Sequence, residues 1–205
     1  MSNKARDGAY AEMFGSDEYQ AYPDPEPEAG APSIEVRRYV LKAESSEWDI
    51  WVTSGMSDMA MRTDEGDELR SELIFYADTG GDFSKALRSV AKFPFEERTY
   101  LMLGHTVQIF GAFFMPGGTE ALIAENMDGL ELPHLFLSGP IITRHQQLPE
   151  LLTIEGSSVD FLCPVPISQS ELEYKKEEGT QALLDLFDEY EHSWLFDPER
   201  ESYLE

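Results

Sequence analysis

Residues 157–190, SSVDFLCPVPISQSELEYKKEEGTQALLDLFDEY, hold the most strongly specified local structure in the chain. Val159 to Val165 is apolar except for Asp160 and rich in strand formers, as expected of a strand buried on at least one face. Pro164 and Pro166 lack a donor N–H, so the strand is expected to lose pairing there or to lie at an edge. Ser168-Gln169-Ser170-Glu171 is a capping box: the serine accepts from the N–H three residues on, and the glutamate reaches back. Ile167 and Leu172 stand at hydrophobic-staple spacing around it. Gly179 suits a left-handed helix end, and Thr180 is placed to cap a second helix. At about 100° per residue, Leu183, Leu184, Leu186, Phe187 and Tyr190 share one face of that helix. Asp185, Asp188 and Glu189 share the other. That stripe reads either as an ordinary solvated face or as a docking surface for a basic partner.

The remaining composition sets bounds. A chain of 205 residues makes one domain, or one domain plus a tail, and its 12 Phe, 9 Tyr and 3 Trp supply a packed core. Forty acidic residues against 15 Lys and Arg leave a net charge of −25. Phosphate binding needs a basic footprint, so nucleic acid and anionic membrane surfaces are poor partners. A basic protein is the natural complement, since long-range attraction would speed encounter; the alternative is charge that merely aids solubility. Cys163 is the only cysteine, so no intrachain disulfide forms, and its place in the apolar strand makes it a small core residue. No apolar run follows Met1–Asp7, as a signal peptide would require, and no run reaches membrane-spanning length; Leu101–Pro116 is broken by His105 and Gln108. The cytoplasm is the expected location.

Along the chain, residues 1–33 read as a weakly ordered acidic, proline-rich arm, although Ala9–Phe14 could form a helical turn docked through Tyr10 and Phe14. Residues 34–190 read as the globular domain and 191–205 as a polar extension. Strands are expected at Ile34–Leu41, Trp48–Thr53 and Leu69–Tyr76, with a turn at Ser54–Asp58. Asp64, Glu65, Asp67 and Glu68 form an exposed acidic loop. Asp82 is placed to cap a helix in which Phe83, Leu87, Val90 and Ala91 make one face, ended by Pro94. Structured chain is expected at Leu103–Ile109, a strand at Thr119–Glu125, and mostly loop over 126–150 with a short strand at Leu135–Leu137. Thr153-Ile154 is expected to open a hairpin with the Val159 strand.

No phosphate loop, nucleophile elbow, zinc-type Cys/His spacing or His-Glu-x-x-His occurs, and no cofactor or metal is expected. The histidines at 105, 134, 145 and 192 are far apart in sequence. Only His105, between Gly104 and Thr106, has a structured context, where it reads as a structural residue first and a partner contact second. Adjacent carboxylates such as Glu96-Glu97 are too common in so acidic a chain to mark general acid–base chemistry. Met56, Met59 and Met61 read as core filling. Residue chemistry alone describes an acidic α+β domain.

Thr53-Ser54-Gly55-Met56-Ser57-Asp58, Glu72–Tyr76, Leu87–Pro94, Gly104-His105-Thr106 and the Ile167–Phe187 run with Gly179 follow one another in an order that resembles the Suppressor of fused domain family. The resemblance spans Trp48 to Glu189 and departs from the family pattern at Ile109–Gly118, which is more apolar. It implies an α+β fold with a mixed, mostly antiparallel sheet flanked by helices, and a binding module, not an enzyme. Gly55, Met56, Ser57, Gly104, His105, Thr106 and Gly179 carry the motifs. Animal members hold an extended peptide of Gli-type transcription factors against a sheet edge and a second domain, for which this chain is too short. Many short bacterial members, which this chain resembles, serve as immunity proteins against toxins. The expected partner is therefore a protein, either a basic toxin met by Asp64, Glu65, Asp67, Glu68, His105, Asp185, Asp188 and Glu189, or an extended peptide added as a strand.

Overall fold

The structure is a computed structural model that describes residues 3–27, 30–42, 47–78, 81–108, 132–140, 151–197 and 200–204. One eight-stranded mixed sheet organises it. The strands are β1 (Gln20–Tyr22), β2 (Glu35–Lys42), β3 (Glu47–Ser54), β6 (Ser71–Asp78), β7 (Thr106–Gln108), β8 (His134–Ser138), β9 (Leu151–Ile154) and β10 (Ser157–Ile167). Their order is β1-β2-β3-β6-β10-β8-β7, with β9 also against β10. Among the described residues every pairing between these strands is antiparallel except β6 with β10, so the sheet is mixed but mostly antiparallel, as expected. A separate two-stranded hairpin joins β4 (Met61–Arg62) to β5 (Glu68–Leu69). The helices are α1 (Asn3–Phe14), α2 (Ser84–Glu96), α3 (Gln169–Glu178) and α4 (Thr180–Glu189).

The period-2 alternation of β6 shows why the sheet is covered on both faces. Leu73, Phe75 and Ala77 pack towards Leu87, Val90 and Ala91 of α2. Ile74 and Tyr76 join the opposite core with Tyr10 and Phe14 of α1, Leu172 of α3, and Leu183, Leu186 and Phe187 of α4. Strands buried on both faces carry continuous apolar runs, and β10 is buried from Phe161 to Ile167.

Several local expectations hold. Both capping-box bonds at Ser168 and Glu171 form. The β9–β10 hairpin turns on Glu155 and Gly156, which both have positive φ, 51° and 81°, as a two-residue turn requires. Others need correction. Thr180 opens α4 without capping it; Gly179, at φ 97° and ψ 169°, serves as C-cap of α3 and N-cap of α4. Asp82 accepts from Ser84 N at 2.9 Å, but the N-cap residue is Phe83. Helix α2 continues past Pro94 to Glu96, since proline forfeits one helical bond while Glu97 N still reaches Phe93 O. The expected strand at Thr119–Glu125 and the apolar run at Ile109–Gly118 lie outside the described residues. Among the described residues no helix is long and apolar enough to cross a membrane.

Where a weakly ordered arm was expected over 1–33, α1 is docked by a buried polar clamp. Glu72 is wholly buried and accepts from Thr53 Oγ1 (2.7 Å), Gly55 N (3.0 Å), Ser57 N (3.1 Å) and Ser57 Oγ (2.6 Å). Arg6 of α1 lies 3.5 Å from the same carboxylate and also binds Asp58, while Tyr10 donates to Thr53 O. Gly55 has φ 122°, and a Cβ there would run into the Ser33 carbonyl oxygen. The Gly55-Met56-Ser57 motif is thus a turn that wraps a buried carboxylate.

Candidate protein-interaction site

The sheet forks between β6 and β10. The two strands pair in parallel only from Asp160 opposite Ser71 to Leu162 opposite Leu73. Pro164 and Pro166 come next. Leu137 of β8 uses both backbone groups on the far side: Gly104 N donates to its oxygen at 2.8 Å, and its own N donates to His105 O at 2.9 Å. Pro164 stands opposite Leu137, so it too turns its backbone away from β8 and towards β6, as does Pro166 two residues on. The β8 ladder therefore continues to Ile167, and the expected loss of pairing falls on one side of the strand. Among the described residues pairing is lost on the β6 side alone, where the proline stretch is an edge.

The chain's own C-terminal arm enters the fork. Phe196 N donates to Tyr76 O at 2.9 Å, and Phe196 pairs with Ala77 as an isolated parallel bridge. The Phe196 ring lies 5.5 Å from Phe75 and 5.6 Å, edge-on, from Phe83. Beyond it, Arg200 grips Glu171 with both terminal nitrogens, each at 2.8 Å. Arg200 Nη2 also donates to Pro166 O at 2.9 Å. Tyr203 N donates to Glu171 Oε1 at 3.1 Å, and the Tyr203 ring stacks on the exposed Tyr190. Residues 191–205 were expected to be a polar extension; the described part of them is packed, although none of it is fully buried.

Between arm and sheet lies a cleft of about 240 Å³, walled by Phe75, Pro164, Pro166, His192, Trp194 and Arg200. Burial would raise the Glu171 carboxyl, but the bonds and charge of Arg200 hold it below its ordinary value. Burial, helped by the Arg200 charge, pushes His192 down to about 4, so its imidazole is neutral near pH 7. The cleft thus presents apolar walls from Phe75, Pro164, Pro166 and Trp194, a polar side from Glu191, His192 and Asp197, and a guanidinium whose two terminal nitrogens are already engaged. Cys163 is buried, and its thiol is pushed up to about 12, which leaves no thiolate nucleophile. Among the described residues no group of His, Cys, Asp and Glu is arranged to hold a metal ion.

The residues singled out by sequence fall elsewhere. Asp64, Glu65, Asp67 and Glu68 are exposed on the β4–β5 hairpin, and Asp185, Asp188 and Glu189 are exposed on α4. His105 is half-buried with its ring 5.1 Å from Tyr100, and its backbone joins the Leu137 pairing. Thr106 Oγ1 accepts from Lys175 at 3.3 Å. Gly104 has φ 83° and abuts Thr180. Met56 is buried, as is Met61, while Met59 is exposed. Sequence reasoning did not find the Glu171–Arg200 pair or Phe196; the signal was the apolar triplet Trp194-Leu195-Phe196 inside an otherwise polar tail.

The family profile of Suppressor of fused protein (SUFU) matches residues 30–201, and the chain belongs to that family. Among solved structures, a SUFU homolog of Neisseria gonorrhoeae FA 1090 is similar with a TM-score of 0.69 at 17% identity, covering 99% of this chain and 97% of that one. A chain of the Sufu–Fu complex is similar at 12% identity and TM-score 0.69, covering 98% of this chain and 91% of that one. Drosophila Suppressor of Fused matches equally in TM-score, 0.69, and identity, 12%; the match covers 98% of this chain but 50% of the fly protein. At these identities the likeness is one of fold. No curated protein sequence matches the chain.

Proposed function

We propose that this member of the Suppressor of fused family is a non-enzymatic protein-binding module that receives an extended segment of its partner as a strand added at the fork between β6 and β10. One observation carries this reading: Phe196 N already bonds to Tyr76 O, so the outer edge of β6 accepts a parallel strand. Strand addition draws affinity from backbone bonds and specificity from pockets for alternate side chains. Here the pocket is the cleft beside Pro164 and Trp194. The similarity to a chain of the Sufu–Fu complex supports a protein as partner. The test is to pan a random displayed-peptide library on the full chain and to map the selected peptides by hydrogen exchange. Protection at Tyr76–Asp78 is the expected outcome; protection confined to other strands sinks the reading.

A second reading rests on charge. An immunity-type protein that neutralises a basic toxin in the cytoplasm would use the net charge of −25 and the seven exposed carboxylates on the hairpin and α4. Its test is a low-salt pull-down from lysate, eluted with salt, followed by association rates of the eluted basic protein. An association rate indifferent to ionic strength would refute it.

A further inference from the structure

The arm occupies the place that a partner strand would take. Building on the strand-addition reading, we infer that residues 192–204 are an autoinhibitory pseudo-ligand, latched by Arg200 on Glu171 and displaced when a partner segment enters the fork.

Four observations separate this arm from an ordinary structural strand. First, its backbone pairing with β6 is an isolated bridge at Phe196, not a ladder. Secondly, none of its described residues is fully buried, whereas β6 is buried from Ser71 to Ala77. Thirdly, its anchor is on the opposite wall of the fork from its strand position. Arg200 donates to both oxygens of Glu171 in the first turn of α3 and to Pro166 O of β10, while the strand position lies at Tyr76 of β6. Opening the latch therefore need not disturb β6. Fourthly, a hinge precedes the arm: Glu191 follows α4 with φ 49°, a left-handed conformation that a non-glycine residue adopts at a cost.

The cleft adds a route of entry. An incoming side chain can seat against Phe75 and Pro164 before the arm has left, and then exchange Phe196 for its own backbone. A tether of this kind presents the arm at an effective concentration on the order of millimolar. A free peptide of equal intrinsic affinity, supplied at micromolar concentration, is then suppressed by roughly 100-fold or more. Releasing the latch removes that suppression.

The probe is a fluorescein-labelled synthetic peptide with the chain's own sequence from His192 to Leu204. It is titrated by anisotropy into the full chain, into Arg200→Ala and into Phe196→Ser, with hydrogen exchange read at residue 196 and at Tyr76–Asp78. Near-UV circular dichroism checks the fold. Both variants are expected to bind the peptide at least ten-fold more tightly than the unaltered chain, with the amide of residue 196 exchanging faster before peptide is added. Equal binding by all three overturns autoinhibition but leaves strand addition standing. A folded variant with an unprotected arm that still fails to bind overturns strand addition, and this inference with it. An arm still protected in Arg200→Ala overturns the latch. If Arg200→Ala does not fold, Phe196→Ser carries the same comparison with the Arg200–Glu171 pair intact.

Discussion

Pro166 and Arg200 meet across the gap in the sheet, the guanidinium Nη2 donating to the proline carbonyl oxygen at 2.9 Å. The chemistry follows from what the two prolines remove. Pro164 and Pro166 take the donors from the edge of β10 that faces β6 and leave its acceptors. An arginine side chain is donor-only, so it complements an acceptor-only edge. A backbone segment would fit the same edge less well, because its own carbonyls would find no N–H. The arm accordingly pairs its backbone with β6 and its guanidinium with β10.

Glu171 is the other half of that arrangement. It closes the capping box on Ser168 N at 2.9 Å and holds Arg200 at the same time. Glutamine can still cap through its one carbonyl oxygen, so Glu171→Gln keeps the cap and removes the ion pair together with the Oε1 acceptor of Tyr203 N. Their removal is expected to cost about 2 kcal/mol, the range for a hydrogen bond to a charged group left unmade. Glu171→Ala loses the cap as well and should cost about 1 kcal/mol more. Urea midpoints measure both. A glutamine variant as stable as the unaltered chain would show that the pair contributes nothing.

Gly55 and Gly66 offer an internal comparison. Both have positive φ, 122° and 91°, but only Gly55 has a neighbour that a Cβ would strike, the Ser33 carbonyl oxygen. Gly66→Ala should cost about 1 kcal/mol for backbone strain alone. Gly55→Ala should cost about 3 kcal/mol, because the turn that wraps Glu72 must move. Equal costs, read from urea midpoints, would mean that Ser33 yields freely.

The sequence showed most clearly what depends on neighbouring residues. The capping box at Ser168, the β9–β10 hairpin and the apolar face of α4 are each set within a few positions, and each is present. The family motifs were legible too, but not their reason: Gly55 and Ser57 exist for Glu72, fifteen or more positions away, and only the fold shows that the carboxylate is buried. Helix α1 was legible only in its second half, as the turn docked through Tyr10 and Phe14; its first turns carry no apolar stripe and are held by Arg6 on Asp58 and Glu72 and by Asp7 on Arg37. The fork escaped for a related reason. Two prolines in a strand announce lost donors, but which neighbour loses them depends on register, and register is a long-range property.

His192 ties the arm to pH. It stacks on Phe187 at 4.5 Å and meets Tyr203 Oη through Nδ1 at 2.8 Å, with the charges of Arg200 and Glu171 acting on it. Burial and the Arg200 charge set its folded pKa at about 4, below the ordinary 6.5. A base depressed in the fold binds more protons when unfolded, so stability falls as pH drops from about 6.5 towards 4. Glu171 has the same sign: its lowered carboxyl stabilises above the unfolded value, and that contribution is lost as pH falls through the folded one. Glu72, raised by burial despite Arg6 and its donors, has the opposite sign and partly offsets the loss in acid. Replacing His192 by asparagine removes the histidine component alone. Between pH 7 and pH 4.5, His192→Asn should lose about 2 kcal/mol less stability than the unaltered chain, a figure already discounted for the partial exposure of the ring. The Phe196 amide should also exchange more slowly at pH 4.5 in the variant, relative to its own value at pH 7, than it does in the unaltered chain. Parallel losses in the two proteins would show that acid acts through the carboxylates and not through His192.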